Sequence, residues 1–275
     1  MQPRSSVGRQ SDPAVARTPY GSVVPAVVRG MHSPAIVTPA VRKAVRQRMM
    51  FFRQASLDRI GALTGASPTD LRRYRQELAE GPLPDLLLQR GANLAITREL
   101  PQGALLYLLV RALRPERVVE TGVRPGYSTA WMLAALEANG AGELLSLGPG
   151  TVAGRASGVP AGAVGQLVAP SLRSRWTLVL GNSEERLEEI LRSASPIGLF
   201  FYDNGPGVDR ARFELRKAWG ALAPSGMLLA HHTDANSGWA EFCQWQGLPV
   251  QLLDPGPPPM GALAVRSARA RPTPS

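Results

Sequence analysis

The stretch R-V-V-E-T-G-V-R-P-G-Y-S-T-A, Arg117 to Ala130, constrains what this chain can fold into more than any other part of it. Val118 and Val119 make a short apolar run that ends on an acid, Glu120. A turn follows, punctuated by Gly122 and Gly126 around Pro125. Ser128-Thr129 then opens an apolar helical pattern of Trp131, Leu133, Ala134 and Leu136. Strand, tight turn and helix in that order is how an α/β protein builds a nucleotide cradle. Glycine lets backbone approach a ligand, and the first N–H groups of the helix face it. The turn lacks both the G-x-G-x-x-G of dinucleotide sites and the Gly-Lys-Ser/Thr of phosphate loops. By itself it fits a ligand-free connection equally well.

The pattern then repeats. Strands are expected at Arg117–Thr121, Glu143–Leu147, Trp176–Leu180, Ile197–Asp203 and Gly226–His231, with helices near Tyr127–Asn139, Ser183–Ala194, Asp209–Leu222 and Ser237–Gln246. Pro249–Leu253 and Ala262–Arg266 would close the sheet. Strands alternating with helices of this length imply a parallel sheet covered on both faces, with ligands bound beyond the strands' carboxyl ends. Pro149–Pro170, rich in Gly, Ala and Val, is long for a connection and suggests a mobile flap over the site or a short helix. Upstream, Gly103–Arg114 is a strongly apolar helix, and Ser67-Pro68-Thr69-Asp70 carries a helix start signal. Residues 39–97 are read as an N-terminal helical cap and residues 98–267 as the α/β domain. Residues 1–38 and 268–275 are read as disordered tails, and Met31 offers a later start of translation.

Charge bears on partners. The net charge of +10 comes from 31 basic and 21 acidic residues. Nine of the basic residues fall in residues 1–53 against Asp12 alone, and three in residues 254–275 against Asp254 alone. That leaves 19 of each sign between them. The folded part is neutral, which argues against nucleic acid as its partner, although the helical pair from Leu57 to Leu78 superficially resembles a helix-turn-helix. The basic pattern from Pro39 reads as an amphipathic helix packed on its own domain. No apolar run is long enough for a membrane span. The single cysteine, Cys243, excludes an intramolecular disulfide, suits a reducing compartment, and leads to the expectation of a cytoplasmic protein.

The strand ends carry a resemblance. V-V-E-T-G-V-x-x-G-x-S-T, then a strand ending S-L-G, then R-W-T-L-V-L-G-N-S, I-G-L-F-F-Y-D-N and L-A-P-S-G-M-L-L-A-H-H-T together resemble a class I S-adenosylmethionine-dependent methyltransferase. The similarity is to the small-molecule O-methyltransferase-like branch, over roughly residues 95–267. It implies a doubly wound, seven-stranded, mostly parallel Rossmann-like sheet with the last strand antiparallel. It also implies S-adenosylmethionine as cofactor and a small hydroxylated metabolite as substrate. Glu120, Gly122, Gly126, Ser128, Gly148, Asn182 and Ser183 would contact the cofactor. Asp203 would face the transferred methyl or the acceptor.

Departures accompany the matches. The second strand of the family ends in an acid that binds the ribose, whereas this chain has Ser146-Leu147-Gly148-Pro149. Arg124-Pro125 stands where small residues are usual, and the fifth strand ends in His231-His232 rather than acids. One of these histidines could serve as general base. A metal is not expected, because adjacent strand residues point to opposite faces and at most one histidine would join Asp203 and Asp234. The leading expectation is a methyltransferase. The second is a relative that keeps the fold without catalysis and serves as a binding or assembly partner, and a homo-oligomer stays open.

Overall fold

Alternation at period two builds the sheet, and the strand β1 (Arg117–Thr121) displays it directly. Val118 faces one apolar cluster and Val119 the other, and both are fully buried. β2 (Glu143–Gly148) and β4 (Ile197–Tyr202) pair with it in parallel, and β3 (Trp176–Leu180) and β5 (Leu222–His231) pair in parallel with β2 and β4 in turn. β6 (Leu252–Asp254) and β7 (Met260–Val265) complete a sheet of order β3-β2-β1-β4-β5-β7-β6. β7 runs antiparallel to β5, and β6 antiparallel to β7. The continuous parallel part is thus five strands rather than the whole sheet, and the outer pair is added by antiparallel ladders. This computed structural model describes residues 38–91, 100–149, 163–205, 207–250, 252–256 and 259–265. The expected tails, apart from Thr38, and most of the expected flap lie outside them.

Helices cover both faces. α1 (Pro39–Met49), α2 (Gln54–Thr64), α3 (Pro68–Glu80), α4 (Leu83–Gln89), α5 (Leu100–Leu113) and α6 (Tyr127–Asn139) share one cluster with Val118, Leu144, Leu199, Phe201, Met227 and Leu229. On the other face α7 (Ser183–Ala194), α8 (Val208–Ala221) and α9 (Gly238–Trp245) pack on Val119, Leu147, Phe200 and Leu228. Ala35–Ser275 forms one compact unit. The basic N-terminal helices are therefore packed elements. Val45 and Met49 of α1 are buried, and Arg42 and Arg46 both pair with Asp85 of α4. The apolar faces of α2 and α3, through Leu57, Ile60, Leu71 and Leu78, lie in the same core. Ser67 caps α3 as its sequence predicts, its Oγ accepting from Asp70 N at 3.1 Å. Among the described residues no helix is long and apolar enough to cross a membrane.

The boundary that moves furthest is the start of β5. α8 ends at Ala221 and β5 begins at Leu222, four residues before the expected Gly226. Leu222 pairs with Ile197, and the register then shifts before Leu199 pairs with Met227. Pro224 falls in that irregular segment, where the lost N–H does not break a regular ladder.

The contact of α5 with α6 turns on a missing side chain. Gly103 lies against the indole of Trp131, which is fully buried, and a Cβ there would overlap the ring. In an open helix Gly→Ala stabilises by up to about 1 kcal/mol. Here Gly103→Ala overpacks a fixed ring and is expected to destabilise by about 1–3 kcal/mol. Urea unfolding of the two proteins reads the sign, and a stabilised variant would refute the packing argument.

Candidate active site

In the order β3-β2-β1-β4-β5 the chain reverses direction of progress between β1 and β4, and the crevice opens there. The register sets its floor. Thr121 pairs with Tyr202 and Tyr202 with Ala230, so the next residue of each strand, Gly122, Asp203 and His231, arrives at one level.

The turn after β1 is bent by three left-handed residues, Gly122 (φ 92°), Arg124 (φ 46°) and Gly126 (φ 88°). Both glycines allow close approach, but of the chain's own backbone. Gly122 makes room for the carbonyl of Asp203, whose N–H donates to Thr121 O at 3.0 Å. Gly126 lies under Gly165, to whose Cα an added Cβ would come within 2.9 Å. Gly165 N and Leu167 N donate to the carbonyls of Arg124 and Pro125, each at 2.9 Å.

Glu120 is likewise turned inward. It is fully buried and accepts from three hydroxyls, those of Ser128, Thr129 (2.7 Å) and Ser146 (2.8 Å). Burial raises its pKa to about 7, and the three hydroxyls oppose that rise without cancelling it. Glu120, expected from the resemblance to hold a ligand amine, directs its hydrogen bonds within the chain to these three hydroxyls.

A cavity of about 150 Å³ occupies the crevice. Gln102 and Leu106 of α5 form one wall, Val123 to Pro125 with Tyr127 and Ser128 another, and Phe201, Asp203, His231 and His232 the third. Of the residues expected at the site, Ser128, Asp203, His231 and His232 line it. Glu120, Gly122, Gly126, Gly148, Asn182 and Ser183 do not. Gln102 escaped the sequence reading. Its signal was a buried polar residue within the apolar face of α5.

The two histidines correct an expectation. Strand alternation should send them to opposite faces, yet His232 adopts φ 53°, and the left-handed step returns its ring beside that of His231, with centroids 4.2 Å apart. A non-glycine residue held there is strained, a feature that clusters at working sites. His231 Nδ1 lies 3.2 Å from Asp203 Oδ1, and its ring stacks on Phe201. Burial, together with His231 next to it, holds the His232 pKa below the ordinary imidazole value. Both histidines therefore share the cavity with Asp203.

The far end of the crevice is different. A Cβ on Gly148 would meet Val164 Cγ1 and Leu180 Cδ2, each at 3.1 Å. Ser183 is buried and donates to Glu214, which also accepts from Asn204 at 2.6 Å, while Asn182 is exposed at the start of α7. S-adenosylmethionine, which the resemblance implies, would find the polar groups Ser128, Asp203 and His231 at the cavity. At the end of β2, Gly148 would offer it no acid. The cavity is smaller than the roughly 300–1,000 Å³ of sites that enclose whole drug-sized ligands.

Glu120 makes stability depend on pH. Its pKa of about 7 in the fold lies above the unfolded value near 4.5, so the folded chain retains a proton that the unfolded chain has released. The associated stabilisation is full below pH 4.5 and is lost as pH rises through 7, by up to about 3 kcal/mol. Glu120→Gln, which keeps the shape and cannot ionise, is expected to flatten that slope in denaturant titrations across the window. An unchanged slope would contradict the buried-acid assignment.

Comparison with known proteins agrees with the architecture. Residues 119–233 match the family model described as a methyltransferase domain. No curated protein matches the chain. Among solved structures, cofactor-bound Rv0187 from MTB is 17% identical with a TM-score of 0.51, over 74% of this chain and 99% of that one. A Klebsiella pneumoniae protein assigned to the O-methyltransferases is 25% identical over 61% of this chain and 72% of its own, with a TM-score of 0.43. The O-methyltransferase TomG from Streptomyces achromogenes, solved with SAM, is 20% identical over 61% and 67%, with a TM-score of 0.40. Over residues 119–233 the chain is thus similar to the methyltransferase domain family.

Proposed function

We propose that this protein is an S-adenosylmethionine-dependent methyltransferase acting on a small hydroxylated acceptor. The observation that carries the reading is the convergence of Ser128, Asp203 and His231 on one apolar-walled cavity at the switch point of a methyltransferase domain. When bound, the cofactor supplies an electrophilic methyl group on a sulfonium.

The chain's own residues would do the rest. Asp203 orients His231 through Nδ1, which leaves the imidazole in the tautomer suited to accept a proton from the acceptor hydroxyl at Nε2. Leu106, Val123 and Phe201 exclude water from the transfer. Gln102 on α5 can hydrogen-bond the acceptor and fix its orientation. We take α1–α4, residues 39–97, as a cap over the domain. The cytoplasm is the proposed setting, consistent with a single cysteine.

A second reading has a specific observation behind it. Gly148 carries no acid and lies against Val164 and Leu180, and the hydroxyl of Ser183 is committed to Glu214. These features favour a relative that keeps the fold without the cofactor and works as a binding or assembly partner.

Isothermal titration of metal-free full-length protein with S-adenosylmethionine and S-adenosylhomocysteine separates the two. The enzyme reading expects saturable heat at micromolar ligand. No heat at high micromolar concentration of either ligand would sink it and leave the non-catalytic scaffold.

A further inference from the structure

Building on the methyltransferase reading above, we propose that Arg124 recognises a carboxylate on the acceptor, so that the substrates are small hydroxylated carboxylic acids. Among the described residues that line the cavity, Arg124 is the one permanent cation. Asp203, the acid of the same lining, is engaged by His231 at 3.2 Å. The guanidinium of Arg124, exposed at the rim, forms no ion pair among the described residues. Its backbone is held where glycine or asparagine would sit at less cost, at φ 46°. The turn is pinned there, because Arg124 O accepts from Gly165 N at 2.9 Å and Val123 O from Gly126 N at 2.7 Å. The fold alone gives no reason for a strained arginine at this point, and its side chain does.

The direction of that side chain assigns the anion to the acceptor rather than to the cofactor. Arg124 Nη2 lies 3.9 Å from where a Cβ on Gly205 would stand, in the segment after β4. Its charge acts on Tyr202 of β4 and on His232 just after β5. Asp203 and His231 stand on this same half of the sheet. Gly148, Asn182 and Ser183, where the resemblance puts the far end of the cofactor, follow β2 and β3 on the other half. A guanidinium offers paired N–H donors in the plane of a carboxylate, which an amide answers poorly. Leu106, Val123 and Phe201 supply apolar walls, and a cavity of about 150 Å³ is the size that holds one benzene ring. A single-ring acid anchored by its carboxylate at Arg124 presents its hydroxyl inward to His231.

The probes are meta- and para-hydroxybenzoate and their neutral amides, titrated into full-length protein by calorimetry or ligand-observed NMR, with and without S-adenosylhomocysteine. At least one acid is expected to bind tenfold or more tightly than its amide, and the preference should shrink as salt is raised. Arg124→Met keeps the length and the backbone strain, removes the charge, and is expected to abolish the preference. Arg124→Gly suits the left-handed backbone and should repeat that loss without strain. Arg192→Met, on the exposed side of α7, matches the change in net charge and should keep the preference. Affinity for S-adenosylhomocysteine is expected to stay within twofold in every variant. Because the acids are also titrated alone, an Arg124-dependent preference supports the carboxylate site even where no S-adenosylhomocysteine binds. Failure of the methyltransferase reading is thereby told apart from failure of this one. Equal binding of acid and amide would overturn the assignment, as would no binding of either acid at millimolar concentration. So would a preference retained in both Arg124 variants, or their loss of S-adenosylhomocysteine affinity, which would give the guanidinium to the cofactor's carboxylate.

Discussion

A carboxylate sealed at the end of β1 is the constraint on which the rest of this site depends. An unpartnered buried charge would be prohibitive, and a neutral buried acid still needs its hydrogen bonds. Glu120 meets that demand with Ser128 and Thr129 from α6 and Ser146 from β2. Ser146 in turn accepts from the indole N–H of Trp176 on β3 at 3.0 Å. One polar group thereby ties three adjacent strands and a helix at the carboxyl edge of the sheet. It also dictates how the chain leaves β1. For two consecutive hydroxyls at the start of α6 to reach back to Glu120, the intervening turn must be tight, and its left-handed residues supply that tightness.

A second acid does the corresponding work on the opposite face. Glu214 of α8 is buried, accepts from Ser183 at the start of α7 and from Asn204 just after β4, and burial raises its pKa. The crevice is thus bracketed by two inward acids, one per helical layer, each satisfied by residues next to strand ends. Glu120 is tied to the turn after β1, and Glu214 holds the segment after β4 through Asn204. Asp203, next to Asn204, is the acid that faces the cavity. Two carboxylates serve as scaffolding so that a third can be presented.

This division explains what the sequence could and could not reveal. The apolar period of two and the glycine punctuation are determined by burial, so β1, α6, β3 and α7 fall where the pattern predicts. A spacing argument locates a strand end without telling whether its hydroxyl or acid turns toward a ligand or toward another side chain. Ser183 and Glu120 both went inward for that reason. His232 was opaque for another. Left-handed backbone is expected at Gly or Asn, and nothing in the letters H-H announces it, so period-two reasoning separated two rings that lie 4.2 Å apart. Gly148 was readable as a departure, but its consequence, a strand end packed against Val164 and Leu180, required the fold.

The cavity draws its two sides from elements with different freedom to vary. Asp203 and His231 are placed by the β4–β5 ladder, where Tyr202 pairs with Ala230, and His231 is further held by its pairing with Met260 of β7. Such placement is rigid because a shift of one residue would send every side chain of the strand to the wrong face. The opposite wall comes from α5, a largely buried helix from which Gln102 and Leu106 line the cavity. Changing those two side chains alters the shape and polarity of the cavity and leaves the Asp203, His231 and His232 cluster untouched. The Asp203, His231 and His232 cluster is therefore set by the sheet, and the wall over it by the helical layer.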